Sequence, residues 1–125
     1  MNIPENLKYT KDHEWVKVEG NTGTIGVTEF AQGELGDVIY VDVTATDAVS
    51  KGDSCGTIEA VKTVSDIFAP VSGKIIEVNT KINDNPAVVN QDPYGEGWML
   101  KVELSNPDEL KDLMDAPAYK ELVGA

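Results

Sequence analysis

From His13 to Leu104 the chain is cut at short intervals by Gly, Asn, Asp or Pro, and the pieces between are rich in Val, Ile and Thr. Runs this short do not sustain a helical period, but they suit strands, in which β-branched side chains alternate between two faces. The expected fold class is therefore mainly β. "HEWVKVEG" alternates Trp15, Lys17 and Glu19 against Val16 and Val18, as a half-exposed strand does. Gly20-Asn21 turns it into "NTGTIGV". "TEFAQGELG" predicts a helical turn at most, because Gly33 and Gly36 interrupt it. "DVIYVDVT" reads as a strand, and Lys51-Gly52-Asp53 turns the chain into "SCGTIEA". "TVSDIFAPVSGKIIEVN" supplies two more strands around Pro70 and Ser72-Gly73. "KINDNPAVVNQDPYGEG" is a turn-rich loop, and "WMLKVEL" is the closing strand. A faint echo of "GTIGV" (Gly23–Val27) in "GTIEA" (Gly56–Ala60) suits two similar halves of a flattened barrel.

The tail changes character. "SNPDELKDLM" predicts a helix with Asn106 as N-cap, Pro107 at the first position and Glu109 completing a capping box. Leu110, Leu113 and Met114 then share one apolar face that lies on the β core. "DAPAYKELV" adds a second short helix. A length of 125 residues fits one domain, 1–125, with its core at about 7–104 and a helical tail at 106–123.

Twenty-two acidic residues against ten lysines and no arginine give a net charge of −12. Such a surface repels phosphate backbones and anionic lipid, so neither nucleic acid nor membrane is an expected partner. It suits docking against basic rims on larger proteins. No apolar run approaches the roughly 20 residues that span a bilayer, and the start lacks a signal-peptide or transit-peptide pattern. A cytoplasmic protein is expected, although a processed mitochondrial form would read the same way. Cys55 and His13 are each the only residue of their kind, so no disulfide, CxxC or HExxH site is expected. A Cys55–His13 catalytic pair is conceivable on paper, but Cys55 reads better as a small, partly buried strand residue.

One turn breaks the usual rule. In "GTIEAVKTVSDIFAPVSG" the chain should reverse at Val61, Lys62 and Thr63, where tight hairpins favour Gly or Asn. A lysine on such a tip projects from a rigid scaffold, where a bulky enzyme can reach and acylate it. From spacing alone, a solvated turn lysine with no further task is the plain alternative.

The same segment resembles the lipoylation segment of the glycine cleavage system H-protein family. The likeness extends to "LKYTKDHEWVKVEG", "TIGVTEFAQGELGDVIYVDV", "NPAVVNQDPYGEGWMLKV" and "PDEL", from about Leu7 to Leu113. It implies a barrel-sandwich, a flattened β-barrel of the lipoyl/biotinyl-carrier kind, with short C-terminal helices. It also implies a monomeric, non-catalytic shuttle whose Lys62 bears lipoate as N6-lipoyllysine. The implied partners are a pyridoxal-phosphate glycine decarboxylase (P protein), an aminomethyltransferase (T protein), a dihydrolipoamide dehydrogenase (L protein) and the lipoate-attaching enzymes. The first loads an aminomethyl group, the second passes the one-carbon unit to tetrahydrofolate, and the third reoxidises the dithiol. By the same resemblance Glu14 and Asp66 are the carboxylates expected to contact the arm. A modifying enzyme needs local landmarks beside the lysine, and Glu59 and Ser65 are the candidates for it, although edge-strand solvation explains Glu59 equally well.

Alternatives stay open at this stage. Biotin carriers typically flank their lysine with methionines, where this chain has Val61 and Thr63. The lipoyl domains of 2-oxo-acid dehydrogenases typically place an aspartate where this chain has Val61. An H-like lipoate donor or relay without a role in glycine cleavage would show the same hairpin.

Overall fold

The computed structural model describes residues 2–124, which form two antiparallel sheets, four short α-helices and one 3-10 helix. In chain order the elements are β1 (Lys8–Tyr9), β2 (Glu14–Glu19), β3 (Thr22–Val27), α1 (Glu29–Leu35), β4 (Val38–Val43), β5 (Ala48–Val49) and β6 (Ser54–Ala60). There follow β7 (Val64–Phe68), β8 (Gly73–Val78), α2 (Lys81–Asp84), α3 (Val88–Gln91), β9 (Leu100–Leu104), a 3-10 helix (Pro107–Asp112) and α4 (Ala116–Val123). One sheet has six strands in the order β1-β2-β3-β9-β8-β5, and the other has three, β4-β6-β7. The expected mainly-β flattened barrel is the fold observed. The two echo segments fall on β3 and β6, one in each sheet.

The sheets close over a core that includes Val16, Ile25, Val41, Ile58, Ile67, Met99, Leu100 and Val102. A second cluster lies under the tail, where the rings of Tyr9 and Tyr119 stack at 4.6 Å beside Trp15, Ile3, Leu7 and Ala116. Trp15 is packed into the interior and Trp98 lies half-buried, so both rings pack. The indole N–H of Trp15 donates to the Val27 and Pro93 carbonyls, joining β3 to the loop before β9.

The elements depart from the sequence reading in several places. β2 is not evenly half-exposed: Glu14, Trp15 and Val16 are all buried, and only Lys17 to Glu19 face water. The cause is that β1 and the second cluster cover its first half. α1 runs two turns through Gly33, with the Thr28 side chain accepting from the Ala31 N–H as cap. Gly33 does not interrupt it, whereas Gly36 ends it. The turn-rich loop contains two single-turn helices, α2 and α3, which anchor Ile82 and Val89 in the core.

Asn106 makes no side-chain cap, and the helix that follows is 3-10 rather than α. Glu109 does not form the expected capping box; its carboxylate accepts from the Ser72 N–H at 2.7 Å and the Ser72 hydroxyl at 2.8 Å. Two charge-assisted bonds to the β7–β8 connection outweigh one local cap. Leu110 and Leu113 pack on the main core, but Met114 joins the second cluster instead, where its backbone pairs with Tyr9. α4 forms as expected, capped by Asp115 through the Ala118 N–H.

Candidate functional site

The β6–β7 hairpin turns at Val61-Lys62, with the Ala60 N–H donating to the Thr63 carbonyl at 2.9 Å and Glu59 opposite Val64. The primed turns common at such tips need positive φ. Here neither Val61 nor Lys62 has it, since His13 is the only non-glycine residue with positive φ among the described residues. The turn is held from outside instead: the Val61 N–H donates to the Asp37 carbonyl at 3.0 Å, and the Lys62 N–H to the Leu35 carbonyl at 3.2 Å. That clamp from the α1–β4 connection explains how a tip without glycine keeps its shape.

Lys62 is exposed, and none of the four ion pairs among the described residues includes it. Its stem lies over Gly36, where an added Cβ would sit 3.4 Å from Cγ and 3.6 Å from Cε. Gly36 has φ 83° and ψ −156°, a region essentially restricted to glycine. The aliphatic stem is thus supported while the amine projects outward.

Two clefts share Glu14 in their lining. A small one of about 110 Å³ is lined by His13, Glu14, Ser65, Asp66 and Leu35 among others, and the Leu35 carbonyl also holds the Lys62 N–H. A larger one of about 510 Å³ is lined by Thr10, Phe68, Pro70 and Met114, and Glu14 lines it too. Glu14 is 2% exposed and accepts from the Thr10 hydroxyl at 2.6 Å and, more weakly, from the Phe68 N–H at 3.4 Å. Burial pushes its carboxyl up to about 7, against the two hydrogen bonds that pull it down; Asp12 adds a smaller upward push.

Of the residues singled out in the sequence, Glu14, Ser65 and Asp66 meet in the small cleft. Glu59 does not join them; it faces outward from β6 between Tyr40 and Val64. The Cys55–His13 pairing is absent. His13 Nδ1 bonds the Tyr119 hydroxyl at 2.8 Å, whereas the Cys55 thiol is fully buried, directed at the Ile67 carbonyl and pushed up to about 11 by burial. A thiol in that state is an inert packing group.

Sequence reading missed Asn90 on α3. Its side chain accepts from the Val38 N–H at 2.8 Å and donates to the Gly36 carbonyl at 3.0 Å and to Gln32 Oε1 at 2.8 Å. It therefore fixes both sides of the connection that clamps the lysine tip. Only the amide's ability to donate and accept at once hints at this in sequence. Asn90→Ala is expected to cost about 2–4 kcal/mol, for lost bonds and stranded backbone groups. It should also speed amide exchange at Val61 and Lys62 more than at the β2–β3 pair, as hydrogen–deuterium exchange would show.

Two small antiparallel sheets closed over one core, with a lysine clamped at an outer hairpin, define a barrel-sandwich of the lipoyl-carrier class. The sequence pattern of the glycine cleavage H-protein family matches residues 7–125. Glycine cleavage system H proteins of Staphylococcus haemolyticus and Symbiobacterium thermophilum are 54% and 55% identical to it. The first match covers 99% of each chain, and the second covers 94% of this chain and 93% of the relative. The crystal structure of a Mycobacterium marinum glycine cleavage system H protein superposes with a TM-score of 0.90 at 39% identity, covering 98% of this chain and 100% of that one. The chain belongs to the glycine cleavage H-protein family, the carrier component of the glycine cleavage system. No helix among the described residues is long and apolar enough to cross a membrane.

Proposed function

We propose that this chain is a non-catalytic lipoyl shuttle of glycine cleavage, with lipoate carried on Lys62 through an amide. The observation that carries the reading is the exposed lysine on a turn clamped by the Leu35 and Asp37 carbonyls, with Leu35 shared between that clamp and the cleft that Glu14 lines. The whole chain, 1–125, is read as one carrier domain working as a monomer in the bacterial cytoplasm. Its partners are the glycine decarboxylase, the aminomethyltransferase, the dihydrolipoamide dehydrogenase and the lipoate-attaching enzymes.

The residues present fit the cofactor, because attachment needs a reachable amine and the stem support leaves that amine free. When attached, lipoate supplies the sulfur that accepts the aminomethyl group and the dithiol–disulfide couple. Glu14 lines the small cleft from β2 and can bind a protonated amine there, and Asp66, on the outward face of β7, adds negative charge at the cleft's rim. A cation beside Glu14 draws its raised carboxyl back toward the ionised form, so the site holds cationic cargo better than neutral cargo. Leu35 and Ile58 give the cleft an apolar wall beside that amine. Ser65, at the cleft, and Glu59, on the outer face, serve as landmarks for the lipoylating enzyme.

The test is peptide mass spectrometry after co-expression with a lipoate-attaching enzyme. Acylation blocks tryptic cleavage at Lys62, so the expected product is an intact Gly52–Lys74 peptide heavier by one lipoyl group. A biotin mass on that peptide, or an unmodified Lys62, overturns the reading.

A further inference from the structure

The three-stranded sheet carries charge of one sign only: β4, β6 and β7 contain Asp42, Glu59 and Asp66 and no basic residue. Its outward face is ordered by the register, with Tyr40, Glu59 and Val64 in one row and Asp42, Thr57 and Asp66 in the next. The pairing shifts between Val38 and Tyr40, so Ile39 has no partner across the sheet. Strict alternation would bury one of Ile39 and Tyr40 and expose Val38 or Val41 in exchange. The bulge lets Val38 and Val41 both face the core, and Ile39 and Tyr40 both face water, 53% and 47% exposed. Val61 and Val64 add 70% and 62% at the tip, so four of the seven large exposed apolar side chains among the described residues lie on the tip or on the strand ends next to it. Scattered exposed apolar residues need no account, but a group beside one reactive amine does.

We propose that this face is the docking platform of the enzyme that acylates Lys62. That enzyme meets the Ile39–Tyr40–Val64 patch with an apolar pocket rimmed by basic side chains. The inference rests on the carrier reading above. Reach selects the occupant. An enzyme that works on the far end of a lipoyl arm stands off by on the order of 15 Å and can leave this sheet untouched. An enzyme that makes the amide must approach within the length of the lysine stem, about 6 Å, and so must lie on the residues that flank the tip. The reaction uses an acyl adenylate or an acyl thioester as donor. The C–N bond forms as the donor's C–O or C–S bond breaks, and the leaving group departs with that electron pair. The ammonium gives up two protons, one before attack and one after. The charge argument completes the choice: with Asp42, Glu59 and Asp66 on this face and Asp37 exposed beside it, a basic rim is favoured and an acidic one is repelled.

The test compares steady-state acylation of the unmodified full-length chain by a lipoate–protein ligase supplied with lipoate and ATP. The wild type is set against Ile39→Ser/Tyr40→Ser, Val64→Ser and Glu59→Gln. Loss of the apolar pair should raise KM at least about tenfold with kcat nearly unchanged, as for removal of a contact hot spot. Higher salt should raise KM for the wild type and less so for Glu59→Gln. Acetylation of Lys62 by a small N-hydroxysuccinimide ester should proceed alike in all variants, because it needs an open amine and no docking. An unchanged KM in the double variant overturns the inference, as does a parallel fall in small-reagent acetylation, which would mean that the tip itself had moved. A wild type that takes up no label overturns the carrier reading as well, and so is told apart from failure of the platform alone.

Discussion

Replacing Lys62 by arginine should abolish glycine cleavage while leaving the fold untouched. In a system reconstituted from the decarboxylase, the aminomethyltransferase and the dehydrogenase, turnover should drop to the level without this chain. The arginine keeps the positive charge and an aliphatic stem that can rest on Gly36 as the lysine does. The backbone bonds to Asp37 and Leu35 come from main-chain N–H groups and do not depend on the side chain. Lys62 is exposed and outside the ion pairs among the described residues, so the melting temperature should move by no more than about 2 °C, the scale of a neutral surface change. What is lost is nucleophilicity, because a guanidinium does not deprotonate in the working pH range and cannot form the amide. Intact mass after incubation with the lipoate-attaching enzyme should show no added group. Full turnover with the arginine chain would mean that the cargo does not travel on residue 62.

How much of this was legible depends on how local each cause is. The strands β2, β3, β4 and β6 to β9 were readable because alternation and Gly or Asn turns act within a few residues. α4 was readable for the same reason, with Asp115 and Pro117 at its start. The division into two sheets was not, since β9 lies between β3 and β8 through partners far apart in sequence. Nor was the fate of Glu109, whose choice between a local cap and Ser72 was settled by a contact 37 residues away. α2 and α3 are single turns, too short to show a period.

The site divides along the same line. Lys62 stands out in the sequence because Val-Lys-Thr is poor turn chemistry, and the clamp shows why the chain manages without glycine. Gly36 read as a helix breaker, yet it also forms the seat for the lysine stem. Asn90 acts across 54 residues through backbone groups that any sequence would possess, so no pattern marks it. Glu14 could be named only by resemblance, because its burial is a tertiary fact created by Thr10, Phe68 and the cleft walls.

That burial makes Glu14 the second place where a large effect is expected, with opposite signs for stability and for function. A carboxyl whose pKa is raised from 4.5 to about 7 binds more protons folded than unfolded. Its contribution is most favourable below pH 4.5 and is lost as pH rises through about 7. A shift of that size corresponds to about 3 kcal/mol of stability lost by alkaline pH. Glu14→Gln removes the charge and keeps an oxygen for the Thr10 hydroxyl, while its amide nitrogen loses the weak bond from the Phe68 N–H, so at pH 8 it should gain about 1–2 kcal/mol net, a melting temperature higher by on the order of 5 °C. Near pH 4 the gain should vanish. Thermal unfolding of both chains from pH 4 to 8 gives the curve, and parallel profiles would show that Glu14 carries no raised pKa. The same variant should lose its hold on a cationic amine, and turnover in the reconstituted system should fall about tenfold or more, as for loss of one charge-assisted hydrogen bond. A merely structural glutamate would not give a sturdier protein and a poorer carrier from one substitution. A carboxylate kept buried at the cost of stability, for the sake of the amine it binds, would.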